Sequence, residues 1–164
     1  LFAYIGASSF VMQNEYGLSA MQFSLLFGVN GIGLIVSALI FSRLARRHPA
    51  EGLMQIGLVL AVTCAGLTLL FAWMQLSVPA LIALFFTVAF NSGISTIAGS
   101  EAMSAVDAKE SGTASAILGM LMFLFGGIAA PLAGIGGETM LKMSLAVLVS
   151  YGIALTIGSR TQNA

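Results

Sequence analysis

The chain has 164 residues, of which 59% are hydrophobic and only 7% charged, and its formal net charge is zero. Soluble domains carry about a quarter charged residues, so one aqueous core cannot hide these side chains and lipid must solvate much of the chain. Zero net charge argues against nucleic acid as a partner, and the lone Cys64 offers neither a disulfide framework nor a cysteine metal site.

The chain opens on Leu1 with apolar residues, without a basic n-region or a small-residue cleavage site. It reads as a piece of a longer polypeptide. A membrane-crossing helix needs about 20 apolar residues. Six candidates follow in order. The first, about 1–13, is too short to span and reads as truncated. The next two cover about 20–41 and 52–74. The fourth, about 78–100, places Pro79 in its first turn, where the missing N–H costs nothing. The last two cover about 112–135 and 140–158. The expected fold is an all-α polytopic membrane bundle of six helices, with short connections that make consecutive helices antiparallel neighbours.

Orientation follows from the positive charges. The second connection carries Arg43, Arg46, Arg47 and His48, the fourth carries Lys109, and the tail carries Arg160. The opposite face offers only Lys142. The basic side is therefore expected in the cytoplasm, with the C-terminus inside and Glu15, Gln75 and Glu138 facing outward.

The stretch A-L-I-F-S-R-L-A-R-R (Ala38 to Arg47) resembles the loop signature G-x-x-x-D-R-x-G-R-R of the major facilitator superfamily. Arg43, Arg46 and Arg47 fall on its basic positions, while Ala38, Ser42 and Ala45 replace Gly, Asp and Gly. Any inner loop gathers Arg for topology alone, but this one also stands between the second and third helices, where the family places the motif. Without the Asp, a guanidinium cluster that caps helix ends and meets lipid phosphates is the physical role.

In the fifth helix, Ser111, Ser115 and Gly119 recur every four residues, as do Gly126, Ala130 and Gly134. Such stripes let helix backbones approach closely in lipid. Pro131 removes a backbone hydrogen bond and is expected to bend the helix. The segment G-G-I-A-A-P-L-A-G (Gly126 to Gly134) is similar to a weakened G-x-x-x-G-P-x-x-G, the antiporter signature of the superfamily, although that signature belongs to the other half.

The wider resemblance covers nearly the whole chain. Y-I-G-A-S-S-F-V-M-Q (Tyr4 to Gln13), Y-G-L-S (Tyr16 to Ser19), F-S-L-L-F-G-V-N-G-I-G-L (Phe23 to Leu34) and S-G-T-A-S-A-I-L-G (Ser111 to Gly119) look like helices seven to eleven of Bcr/CflA-type drug-resistance transporters. The segment Asn91 to Ser100 lacks the proline often found there, which leaves the subfamily open. The resemblance implies the C-terminal half, helices seven to twelve, of an inner-membrane transporter. Its partners would be the lipid bilayer, a missing N-terminal six-helix half, protons and a small-molecule substrate. It implies multidrug efflux by proton antiport, with no cofactor and no metal.

Polar side chains inside a bilayer are costly and usually face the bundle interior. Tyr4 and Ser8 stand at i, i+4 on the first helix, and Asn91 and Ser95 do the same on the fourth. The resemblance makes these the central-cavity helices, so this quartet, followed by Asn30, is the expected substrate-cavity set. The bland alternative is that they only join helices by hydrogen bonds. Met12, Met120 and Met122 suit promiscuous apolar ligands, though such residues more often pack helices or meet lipid.

No acidic residue lies mid-span; Glu101, Asp107 and Glu110 cluster at the inner end of the fourth helix. A proton-coupling carboxylate is therefore expected outside this chain. A uniporter or symporter for small metabolites shares the fold, and a non-transporting scaffold would differ by lacking a water-accessible face. Intramembrane enzyme chemistry would need a nucleophile and base inside the bilayer, whereas His48 is in a loop and Cys64 has no partner base in its helix.

Overall fold

The computed structural model describes residues 1–134 and 139–161. Glu138, the side chain of Arg160 and the surroundings of Gly134 lie outside the described residues. Helix α1 (Phe2–Phe10) runs into a π-helical turn, Val11–Glu15. Then come α2 (Ala20–Leu44), α3 (Ala50–Trp73), α4 (Ser77–Ser104), α5 (Ser111–Gly134) and α6 (Met140–Thr161). The fold is all-α among the described residues. Among the described residues five helices, α2 to α6, are long and apolar enough to cross a membrane.

Local signals explain the boundaries. Ser19 opens α2 with a capping box: its hydroxyl accepts from the Gln22 N–H at 3.2 Å, and the Gln22 side chain accepts from the Ser19 N–H at 2.9 Å. α3 starts after Pro49 and carries Glu51 in its first turn, where a negative charge complements the helix dipole. It ends in a Schellman turn. The Leu76 N–H donates to the Phe71 carbonyl at 2.9 Å and the Gln75 N–H to Ala72 at 3.1 Å, with Gln75 held at φ +61°. The π-helical turn widens α1 where Val11 and Met12 are fully buried. There Tyr16 donates its N–H to the Val11 carbonyl at 3.2 Å, and Gly17 takes a positive φ to leave the helix.

The chain order is not the packing order. α3 packs extensively on α4 as expected, but α2 packs mainly on α4, α3 also on α6, and α1 on α5. Notches cut by small residues decide this. The Phe41 ring of α2 lies where a Cβ on Gly93 of α4 would fall 2.5 Å away, and it also presses on Gly57 of α3. The Phe2 ring of α1 occupies the same kind of notch at Gly126 of α5, and Gly6 meets Ala130 beside it. Within the span windows, 44% of α4 residues are buried but only 6% of α5 residues and 17% of α2 residues. α4 is thus the interior post, and α2 and α5 present broad apolar faces such as Ile32, Ile35, Phe123 and Phe125.

Candidate functional site

α4 carries Thr87, Asn91 and Ser95 one turn apart on a single stripe. That stripe looks across at Tyr151 of α6, whose hydroxyl donates to the Thr87 carbonyl at 3.2 Å and is also reached by the Asn91 side chain. Tyr151 is buried and Asn91 half-buried. The Thr87 hydroxyl turns back to the Ala83 carbonyl at 2.9 Å, which satisfies it within its own helix.

Around this pair lies a cavity of about 360 Å³. Asn91 and Ser95 form one wall and Ser150 and Tyr151 another, with Met122 and Phe125 of α5, Phe2 of α1 and Leu58 of α3 closing it. Asn91, Met122 and Tyr151 each stand close to the middle of their own helices, so the cavity sits at mid-span depth. No charged side chain lines it among the described residues. The chemistry on offer is hydrogen bonding from an amide, a phenol and two hydroxyls against aromatic and thioether surfaces. Such a wall suits an uncharged or weakly polar solute.

The structure divides the expected set. Asn91 and Ser95 line this cavity. Tyr4 and Ser8 do not line it: Tyr4 packs in a core cluster with Val11, Met12 and Leu84, and Ser8 is buried. The Tyr4 hydroxyl accepts from the Asn30 Nδ2–H at 2.7 Å, and its ring stacks on Phe27. Ser8 turns back to the Ile5 carbonyl at 3.4 Å. Asn30 lines a different cavity, between α2 and α4, together with Met12. Met120 and Met122 are both exposed on α5, and of the two only Met122 borders the mid-span cavity.

Arg43, Arg46 and Arg47 are all exposed around the last turn of α2, with their backbone N–H groups continuing the helical turn. In α5, Gly126 and Ala130 meet α1, whereas Gly119 has open space at its Cβ position and Ser115 is exposed. Pro131 lies inside the helix, one residue beyond the Gly6 contact.

Sequence reasoning missed Tyr151, Ser150 and Thr87. The usable signal was the extension of the Asn91–Ser95 spacing back to Thr87. Tyr151 gave none, because a phenol in an apolar helix reads the same whether it packs or binds.

A profile of the Major Facilitator Superfamily matches residues 1–159. The chain is 30% identical over 149 residues to the uncharacterized MFS-type transporter YdgK of Bacillus subtilis (strain 168), covering 91% of this chain and 37% of that protein. It is also 30% identical over 129 residues to the bicyclomycin resistance protein homolog of Haemophilus influenzae (strain ATCC 51907 / DSM 11121 / KW20 / Rd), covering 78% of this chain and 32% of that protein. The chain thus spans about a third of the length of these relatives. No solved structure gives a significant match. The matched profile over nearly all of the chain, the five apolar spans and the mid-span cavity agree, and the chain belongs to the Major Facilitator Superfamily of multi-pass membrane transporters.

Proposed function

We propose that this chain is the C-terminal half of a secondary transporter that exports drugs or small metabolites in exchange for protons. The observation that carries the reading is the mid-span cavity around Asn91 and Tyr151, uncharged and walled by Phe2, Met122 and Phe125. Aromatic and thioether surfaces adapt to varied apolar solutes, and a few fixed hydrogen-bonding groups orient them. The likeness to a protein named for bicyclomycin resistance favours export over uptake.

In this reading an N-terminal six-helix half supplies the opposite wall. The two halves rock about the solute so that the cavity opens to one side at a time. The carboxylate that binds and releases the proton also comes from that half, since the acidic residues of this chain sit at helix ends and connections. The Arg43–Arg47 end faces the cytoplasm of a cell inner membrane, the C-terminus lies on the same side, and its guanidinium groups meet lipid phosphates.

The test is cysteine accessibility in the full-length protein, in a Cys64→Ala background, at Asn91, Ser95 and Ser150, with Tyr4 and Ser8 as buried references. Labelling of the first three from water, blocked by a transported drug, is the expected result. Protection of all five would leave these residues a purely structural role, and a non-transporting membrane scaffold would then be the better reading.

A further inference from the structure

Two of the polar groups bordering the mid-span cavity constrain each other. Tyr151 is 8% exposed and spends its single O–H on the Thr87 carbonyl at 3.2 Å. A phenol has one proton to give, so any further polar neighbour must donate to its oxygen. The Asn91 side chain is that neighbour. It therefore turns its amide nitrogen to Tyr151, because the carboxamide oxygen carries no proton. The two ends of an amide have nearly the same shape, and here the phenol decides which is which. The same pairing stands on the other side of the bundle, where the Asn30 Nδ2–H donates to the Tyr4 hydroxyl at 2.7 Å.

The two asparagines differ in what lies around them. Asn30 is buried, whereas Asn91 is half-buried at the edge of the mid-span cavity. Among the described residues Tyr151 is the one hydrogen-bond partner of the Asn91 side chain. Among the same residues the sealed side-chain polar atom without a partner is the Ser37 Oγ, so the Asn91 oxygen is not sealed. It opens on the cavity, at the end of the amide turned away from Tyr151. The hydroxyls nearby add to this bias. Ser150 gives its proton to the Ala146 carbonyl at 2.8 Å, which leaves it lone pairs alone to offer. Thr87 gives its own to Ala83, and Ser95, exposed, can act as donor or acceptor.

We propose that Tyr151 is a positioning residue that holds Asn91 as a fixed acceptor, so that the cavity selects solutes bearing an N–H or O–H donor. The proposal rests on the exporter reading and adds to it the chemical class of what the cavity takes. Tyr151 acts through Asn91, since the Thr87 carbonyl already holds its proton. The discrimination comes from desolvation. A solute without a donor strips water from the Asn91 oxygen and returns no bond.

Carbazole, dibenzofuran and fluorene share one flat, uncharged three-ring shape. The first carries an N–H donor, the second an ether oxygen that only accepts, and the third neither. Each is titrated against maleimide labelling of Ser95→Cys, in a Cys64→Ala background of the full-length protein in phosphatidylcholine nanodiscs. Concentrations are counted per lipid, which removes differences in partitioning. Carbazole is expected to protect at about fivefold lower concentration than the other two. In Tyr151→Phe the amide turns freely and can offer an N–H to dibenzofuran. The preference for carbazole should then fall below about twofold while both compounds still protect. Asn91→Leu should erase it. Equal protection by carbazole and dibenzofuran in the Tyr151 protein, or a preference for dibenzofuran, overturns the proposal and leaves the cavity a solute site. A preference unchanged in Tyr151→Phe also overturns it, because a residue that only packs the wall weakens all three compounds together. Protection by none of them removes the solute cavity itself, and with it both the exporter reading and this proposal.

Discussion

The Glu15 carboxylate accepts a hydrogen bond from the Met140 N–H at 2.5 Å, joining positions 125 residues apart in the chain. It ties the end of the π-helical turn to the first residue of α6, whose early N–H groups have no partner within the helix. A carboxylate is the right group there, since it meets both the orphan donor and the positive end of the helix dipole. Glu15→Ala is expected to destabilise the protein by about 1 kcal/mol. Glu15→Gln, which keeps an acceptor but not the charge, should cost less. Thermal unfolding in detergent checks both; equal stability of wild type and Glu15→Ala would show the contact to be idle.

Tyr16, next in sequence and outside the spans, has its phenol pushed up to about 12, first by burial and then by the Glu15 charge. A folded value above the unfolded one of 10.0 means that the neutral phenol favours the fold. That contribution is complete below pH 10.0 and is lost as pH rises through about 12. Phenolate absorbance should therefore show one late-titrating tyrosine outside the bilayer, and Glu15→Gln should bring it to lower pH. No movement in that variant would assign the whole shift to burial.

Tyr4→Phe leaves the Asn30 amide without its partner in a buried place. The expected loss is about 1 kcal/mol, at the upper part of the range for helix–helix hydrogen bonds in lipid. Asn30→Leu alone strands the Tyr4 hydroxyl at a similar cost. The double variant should lose less than the sum of the two, and a double-mutant cycle on unfolding reads the difference. Strict additivity would mean that the 2.7 Å bond carries no coupling.

Gly126 and Gly66 make a matched pair of helical glycines. A Cβ at Gly126 falls 2.5 Å from the Phe2 ring, while Gly66 has nothing within 4 Å. Gly66→Ala should stabilise by about 0.5–1 kcal/mol through helix propensity. Gly126→Ala should destabilise by about 1–3 kcal/mol by forcing Phe2 aside. Because Phe2 lines the mid-span cavity, Gly126→Ala should also change cysteine labelling at Asn91.

Gln75 sits at φ +61° in the Schellman turn, where a side chain adds strain that glycine avoids. Gln75→Gly is expected to stabilise by roughly 0.5 kcal/mol, since relief of strain outweighs the added freedom of the unfolded chain. A lower melting temperature in this variant would show that the Gln75 side chain makes a contact worth more than the strain.

Much of the architecture was legible in the sequence for a simple reason. In a bilayer the backbone must bond within each span, so apolar length alone sets the helices. The ends were less legible. α2 runs on to Leu44 and α4 to Ser104 because intrahelical bonding continues into the interface, past the last apolar residues. The π-helical turn left no trace in the letters, because Val11 to Glu15 reads like any other helix end.

The pairing of helices and the site were another matter. Tyr4 and Asn91 are both polar residues on apolar helices, and nothing in their spacing says that one packs against Asn30 while the other meets Tyr151. Side-chain volume decided it. Phe41 fits the notch at Gly93 and Phe2 the notch at Gly126, and those two fits draw α2 onto α4 and α1 onto α5. The sequence by itself determined that the chain lives in lipid as a helical bundle, because hydropathy acts residue by residue. Only the tertiary structure decided which polar groups satisfy one another and which border a cavity, because that depends on which helices those notches bring together.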